Sequence, residues 1–381
     1  MKILHLMLSN YYIDGYNYQE NVLPEINRND GHDVLIIAST ETFSEKKKLT
    51  YINPGKSFTS TGIPIIRVAY YKYFPLWMAK KIRKYEEWLS IVYDFKPDVI
   101  LWHGLAAWDL RLLKDIRNKF PSIKIYLDSH EDKYNSARNI LSKYILHRCI
   151  YKNSLRKAIG ITDKIFHVSI EAKKFDIENY NVPEEKLEYY PLGAILINKH
   201  EREIRAEKVR RQYNINNNQL LLIHSGKMDR SKKTLDIINA VKEIEDDRIR
   251  LLLVGSIYED IKDELYLLLD SDNRIRYLGW KSTEELLDLL RACDLYLQPG
   301  TQSVTLQNAL GAAAPVAIFP YESHRPFLNG NGFYVRNKNE IKQAVLTLLT
   351  NFSVIDRMRQ ASFDIAASIL DYQKLAARLY Q

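Results

Sequence analysis

Several short stretches hold side chains suited to chemistry on an anionic or hydroxylated ligand. Gly226-Lys227-Met228-Asp229-Arg230-Ser231-Lys232-Lys233 follows the apolar run LLLIHS and precedes a helix expected from about Thr234. Glycine lets backbone approach a ligand closely. A helix start presents free N–H groups at its positive end. Lys227 and Lys232 would set ammonium groups on either side of one anion. A departing diphosphate needs such an arrangement, with fixed donors meeting the developing charge. A basic loop at a helix start, with no ligand, accounts for the same residues equally well. Asp128-Ser129-His130-Glu131-Asp132 follows IKIYL, where an imidazole can exchange a hydrogen bond with a hydroxyl or carry charge. A surface or capping cluster is the plainer alternative. His103-Gly104 ends VILWH, and a buried histidine beside Trp102 is the simpler reading there. Glu20 and Asn21, behind Asp14-Gly15, fall in a first helical turn, where acids are favoured in any case. Gly300-Thr301-Gln302-Ser303-Val304-Thr305 again brings hydroxyls and N–H groups to a helix start.

Other chemistries fit poorly. No GxxxxGK[ST] occurs and no GxGxxG follows the first strand, so a P-loop and a dinucleotide dehydrogenase are disfavoured. Asp128, His130 and Asp132 are close but form no clear ligand set, so no metal and no cofactor are expected. Cys149 and Cys293 lie far apart, which fits a reducing compartment. The net charge of +8 is spread along the chain and matches no nucleic-acid module. The start reads as a strand, not a signal peptide, and no apolar run is long enough to cross a bilayer.

These residues need a scaffold, and the apolar pattern supplies one. The chain has 381 residues, 46% of them hydrophobic, enough for two or three folded domains. Strands are expected at 2–7, 33–38, 63–68, 99–102, 123–127 and 164–168, and again at 220–224, 250–254, 274–278, 295–297 and 316–319. Continuous apolar runs separated by helices imply parallel sheets covered on both faces. The expected fold is therefore α/β, two Rossmann-like doubly wound domains facing a cleft. The charged, asparagine-rich stretch 199–218 marks the junction, giving domains 1–198 and 199–369. The tail from Ser353 reads as helical throughout, and 370–381 packs on either domain. Ser282 with Glu285 forms a capping-box pattern for the helix ending at Ala292.

The residues resemble a known family. SGKMDRSKK is similar to the glycine–arginine…lysine motif of glycosyltransferase family 4, the retaining enzymes of the GT-B fold. The family arginine falls on Lys227 and its lysine on Lys232; lysine keeps the charge and loses the bidentate fork. RIRLLLVGS, with Gly255, resembles the next strand. RIRYLGWKSTEELLDLLRACDLYLQPG and TLQNALGAAAPVAI resemble the segments that follow. YNYQENVLPEINRNDGHDVLIIAS and DSHEDKYNSARNILSKYILHRCIYK resemble a subgroup from bacterial surface-polysaccharide clusters, and YYPLGA resembles the strand near the junction. Many relatives carry two glutamates, the first on the donor sugar and the second on the ribose. Here those places fall near Gly300 and on Gln307 or Asn308, so charge-assisted bonding is lost.

The resemblance implies metal-independent transfer of a sugar, with retention, from a nucleotide-diphosphate sugar such as a UDP-sugar. The acceptor would be a glycan or a polyprenyl-diphosphate-linked glycan of a capsule or O-antigen. It assigns catalysis to His130, Lys227 and Lys232. Donor binding falls to Gly226, Gly255, Gln302, Ser303, Val304, Thr305 and Gln307 or Asn308. Acceptor binding falls to Gly15, Glu20, Asn21, His103, Glu131 and Asp132. Tyr70–Lys84 mixes aromatics with lysines, as a segment on an anionic membrane would; a helix with its aromatics in the core is equally compatible. The expected location is cytoplasmic, with peripheral contact on the inner membrane face. A GT-B nucleotide-sugar epimerase and a non-catalytic sugar-binding subunit are the alternatives.

Overall fold

The computed structural model describes residues 1–44, 48–132 and 142–381. The middle of the stretch DSHEDKYNSARNILSKYILHRCIYK lies outside the described residues. The chain divides into two compact units, Met1–Pro191 with Tyr372–Gln381, and Leu192–Asp371.

The first unit contains β1 (Lys2–Met7), β2 (Asp33–Ala38), β3 (Glu41–Phe43), β4 (Leu49–Tyr51), β5 (Gly55–Phe58), β6 (Pro64–Arg67), β7 (Val99–His103), β8 (Lys124–Ser129), β9 (Lys164–His167) and β10 (Leu187–Tyr189). Eight of these form one sheet in the order β10-β9-β8-β7-β1-β2-β6-β5. All of β1 and β2 except the first residue of each is buried, as the continuous apolar runs require. One edge departs from the parallel expectation. β5 pairs antiparallel with β6, and all four of its residues are exposed. A strand solvated on both faces has no apolar run to mark it. The hairpin β3–β4 was also unmarked.

The second unit contains β11 (Leu220–Met228), β12 (Ile249–Ile257), β13 (Ile275–Tyr277), β14 (Leu295–Gln298), β15 (Val316–Ile318) and β16 (Gly332–Tyr334). They form one wholly parallel sheet, β13-β12-β11-β14-β15-β16. That order reverses between β11 and β14, as the first sheet's does between β1 and β7. Ligands of open α/β sheets bind beyond the strand ends at such reversals.

The stretch 199–218 holds a helix, Lys199–Gln212, within the second unit. Asn198 caps it, its Oδ1 accepting from Glu201 N at 2.9 Å. Arg205 ties it to Glu284 and Asp288 of the helix Thr283–Ala292. That second helix opens on the full capping box, with Ser282 Oγ accepting from Glu285 N and Glu285 Oε2 from Ser282 N. The tail is not one helix. Val354–Ile369 ends before Asp371, which bridges to Ala194, and Tyr372–Ala377 follows. Tyr372, Leu375, Ala376 and Leu379 join Ile3, Leu23, Val99 and Leu101 in a core of the first unit.

Candidate active site

In the second unit, β11 does not stop at Ser225 but continues through Gly226 and Lys227 to Met228. Gly226 and Lys227 are therefore strand, not turn, residues. The cause is β12, which runs alongside to Ile257 and pairs Gly226 with Gly255 and Lys227 with Ser256. Gly255 has φ 134°, and a Cβ there would meet Gly226 O at 1.9 Å. Close strand approach thus requires this glycine whatever binds nearby. A single 3-10 turn, Arg230–Lys232, follows, with Asp229 Oδ1 accepting from Lys232 N at 3.1 Å. Lys233 then takes a left-handed conformation (φ 57°), and the helix Thr234–Lys242 begins.

The loop after β14 is stitched to this turn. Lys232 Nζ donates to Thr301 O and Gln302 O, both at 2.9 Å. Thr301 N donates to Ser231 O at 3.1 Å. Gly300 lies so close that a Cβ would sit 2.2 Å from Ser231 O. No glutamate can occupy that position in this packing. Burial lowers the Lys232 pKa, with Asp229 opposing. Lys227 is exposed. Ser303 Oγ accepts from Thr305 N at the start of the short helix Thr305–Gly311, which carries Gln307 and Asn308. Gln302 Nε2 donates to Ser323 Oγ, while Gln307 Oε1 is buried without a partner. His224 pins the two strands and the helix together. Its Nδ1 lies 2.8 Å from Leu297 O and its Nε2 2.9 Å from Thr234 Oγ1. Burial takes its pKa down to about 4.

In the first unit the chemistry-bearing residues form one buried chain. His103 Nδ1 lies 2.6 Å from Asp128 Oδ2, and His103 Nε2 lies 3.1 Å from His5 Nδ1. His5 Nε2 reaches Asn27 Oδ1 at 2.9 Å. On the other side, Asp128 Oδ1 lies 3.2 Å from His130 Nε2 and accepts from Gly104 N at 2.9 Å. His130 Nε2 lies 3.9 Å from Glu20 Oε1, which accepts from Asn10 Nδ2. Burial opposes charge on His130, but Asp128 outweighs it and raises the pKa to about 10. Burial likewise opposes charge on Asp128, but His103 and His130 hold it well below the ordinary range. His5, buried beside His103, falls to about 3. Glu131 is a bracket: it accepts from Leu105 N at 3.0 Å and from Ser129 Oγ and His130 N at 3.2 Å.

The expected residues His103, His130, Glu20 and Glu131 therefore converge around Asp128. Asn21 does not join them; its Nδ2 donates to Ile13 O. Gly15, with φ 76°, makes the turn before the helix Gln19–Asn29 and leaves open space at its Cβ position. Asp132 ends the described segment, partly buried. Sequence reading missed His5, Asn27, Asn10 and His224. Two carried a signal, a histidine inside an apolar strand in KILHLM and LLLIHS.

This fold, two Rossmann-like parallel-sheet units, is that of the GT-B glycosyltransferases. Residues 205–362 match the family described as glycosyl transferases group 1, which supports a glycosyltransferase. A curated relative, alpha-galactosylglucosyldiacylglycerol synthase of Streptococcus pneumoniae, is 21% identical over 206 residues, 50% of this chain and 53% of the relative. The chain thus spans about half the length of that relative. Among solved structures, HepE of Anabaena in complex with UDP has a TM-score of 0.65 at 16% identity, covering 99% of this chain and 98% of that one. Sucrose-phosphate synthase of Thermosynechococcus elongatus has a TM-score of 0.69 at 14% identity, covering 99% and 96%. At these identities the solved structures speak to the fold.

Proposed function

We propose that the protein is a retaining, metal-independent glycosyltransferase. It moves a sugar from a nucleotide-diphosphate sugar, such as a UDP-sugar, to a glycan or lipid-linked glycan of a bacterial surface polysaccharide. The observation that carries this reading is the stitched loop pair at the β11/β14 reversal, with a part-buried Lys232 ammonium at its centre. Two acceptors leave that ammonium a third proton for a phosphate oxygen. Lys227, backbone N–H groups and the hydroxyls of Ser303 and Thr305 complete the donor set, and Gln307 offers its buried acceptor to a ribose hydroxyl. The acceptor hydroxyl attacks the anomeric carbon as its bond to the diphosphate breaks, and the hydroxyl proton passes to the departing phosphate. His130, held by Asp128, orients the sugar, with Glu20 and Asp132 on the acceptor side, the buried His103 bracing Asp128 and the buried Glu131 bracing His130. The UDP complex of HepE and the glycolipid product of the curated relative support donor and acceptor classes.

The test is sugar transfer from a panel of nucleotide sugars, with product anomeric configuration read by NMR. Lys232→Ala should lower turnover by about a hundredfold or more. Equal turnover in wild type and variant would sink the assignment. Gly300 favours one second reading, a nucleotide-binding subunit without turnover, because its packing excludes the family glutamate. Nucleotide binding with no transfer to any acceptor would select it.

A membrane-bound acceptor suits the surface around Leu76–Ile82. Tyr73 is 74% exposed, Trp77 69% and Leu76 58%, with only Ala79 and Ile82 of the helix buried. Lys80, Lys81 and Lys84 lie on the same segment. No helix among the described residues is long and apolar enough to cross a membrane.

A further inference from the structure

Arg83 ends the helix Leu76–Ile82 in a left-handed conformation (φ 55°). Its guanidinium sits in the electrostatic reach of Tyr85, Glu41, Tyr151 and Tyr11, with Cζ 5.7 Å from the centre of the Tyr11 ring. Nη1 is fully buried and has no hydrogen-bond partner. The nearby Tyr70 hydroxyl, on which Arg83 also acts, is buried without a partner too. Neighbouring groups are already committed. Tyr85 Oη donates to Leu8 O and Tyr151 Oη to Lys81 O. Glu41 accepts from Ser39 Oγ at 3.2 Å and forms no ion pair with Arg83.

Arg67 shows what a structural arginine looks like in the same unit. Its Nη1 donates to Ser39 O and Glu41 O, and its Nη2 to Tyr12 O and Asp14 Oδ2. Arg83 has five donors and none of those acceptors. Glu41 is the anion in reach of Arg83 but accepts no hydrogen bond from it, so Nη1 keeps an unmet buried donor, which a bound anion would satisfy. The place is also right. Tyr11 follows β1, Glu41 opens the segment after β2, and Tyr70 follows β6, all beyond strand ends where such sheets take ligands. A guanidinium and a phenol are both donors, and a phosphate, with several acceptor oxygens, can take both.

We propose that Arg83 and the Tyr70 hydroxyl form a phosphate-binding site in the first unit, separate from the nucleotide site. Resting on the transferase reading, its occupant is a phosphate group of the acceptor, either in a lipid headgroup or in a soluble sugar phosphate. The test is calorimetric titration of the full chain with methyl phosphate, in saturating UDP so that the second unit is filled. Arg83→Gln should lower methyl phosphate affinity about tenfold or more with UDP affinity unchanged. Tyr70→Phe should lower it less, and Glu41→Gln should raise it. If Arg83→Gln fails to fold, Arg83→Lys keeps the charge, loses the fork and should still weaken binding. Unchanged affinity in the Arg83 variants, or no saturable binding in wild type, overturns the proposal. Co-sedimentation with phosphatidylcholine vesicles, with and without phosphatidic acid, separates the sources. A larger Arg83-dependent loss on the acidic vesicles than with methyl phosphate assigns the lipid, and no added loss assigns the soluble ester. Arg83-dependent methyl phosphate binding in a protein that ignores UDP would leave this site standing while the donor reading fell.

Discussion

Asp128 is the residue on which the first unit's polar chain turns. It holds imidazoles on both sides and a backbone N–H of the β7 loop. Burial works against charge on Asp128 and His130, yet their pairing wins on both. His130 titrates at about 10 instead of 6.5. Its contribution to stability is thus complete below pH 6.5 and disappears as pH rises through about 10. Asp128 is held below its usual 3.8, so its contribution is present above that pH and fades on acidification. Asp128→Asn should cost about 3 kcal/mol or more between those limits, with the deficit shrinking near pH 10. Urea unfolding at stepped pH reads this directly, and a pH-independent deficit would show that the ion pair is not its source. His130 was readable as a polar residue at a strand end. Asp128 was passed over as a partner because pairing with His103 depends on which strands lie side by side, and β7 beside β8 is a fact of topology, not spacing. Arg83 was invisible for a similar reason, its lack of a partner being a property of the folded surroundings.

At the scale of elements, what the sequence made legible was the buried strands. A short run apolar on every residue, bounded by polar segments, suits a strand covered on both faces, and nine of the eleven expected strands lie within two residues of the observed ones at both ends. The exceptions were β11 and β12, whose ends GKM and GSI are strand only because each extends beside the other. Such extension belongs to the pair, so neither segment announces it. Gly255→Ala tests the pairing. Its Cβ would strike Gly226 O in a left-handed backbone region, so a loss of about 2 kcal/mol or more is expected, and unchanged thermal unfolding would refute the close approach. The helix Leu76–Ile82 shows the reverse limit. Its composition suited a buried or a membrane-facing role equally, and only the fold left Trp77 exposed. Trp77→Ala should reduce sedimentation with anionic vesicles while leaving transfer to a water-soluble acceptor analogue intact; retention of full vesicle binding would dismiss that face as the membrane contact.

For the whole molecule, the two-part division was visible in the restart of the strand series, but the path of the tail was not. A short amphipathic segment can close either unit, and its apolar face does not say which. Tyr372, Leu375 and Ala376 fill the first unit's core, Tyr190 Oη donates to Leu375 O at 2.7 Å, and Arg378 Nη2 donates to Tyr189 O at 3.0 Å. Removing residues 372–381 should therefore destabilise the first unit, lowering its unfolding midpoint while the second unit's transition stays in place. Limited proteolysis of the shortened protein would locate the damage, and cleavage confined to the second unit would contradict it.

The same return of the chain orders events during synthesis. The helix that packs on β1 and β7 leaves the ribosome only after every residue of the second unit has been made. Until then Ile3, Val99 and Leu101 lack some of their covering side chains, and the first unit waits, incompletely sealed, for a segment made after the second.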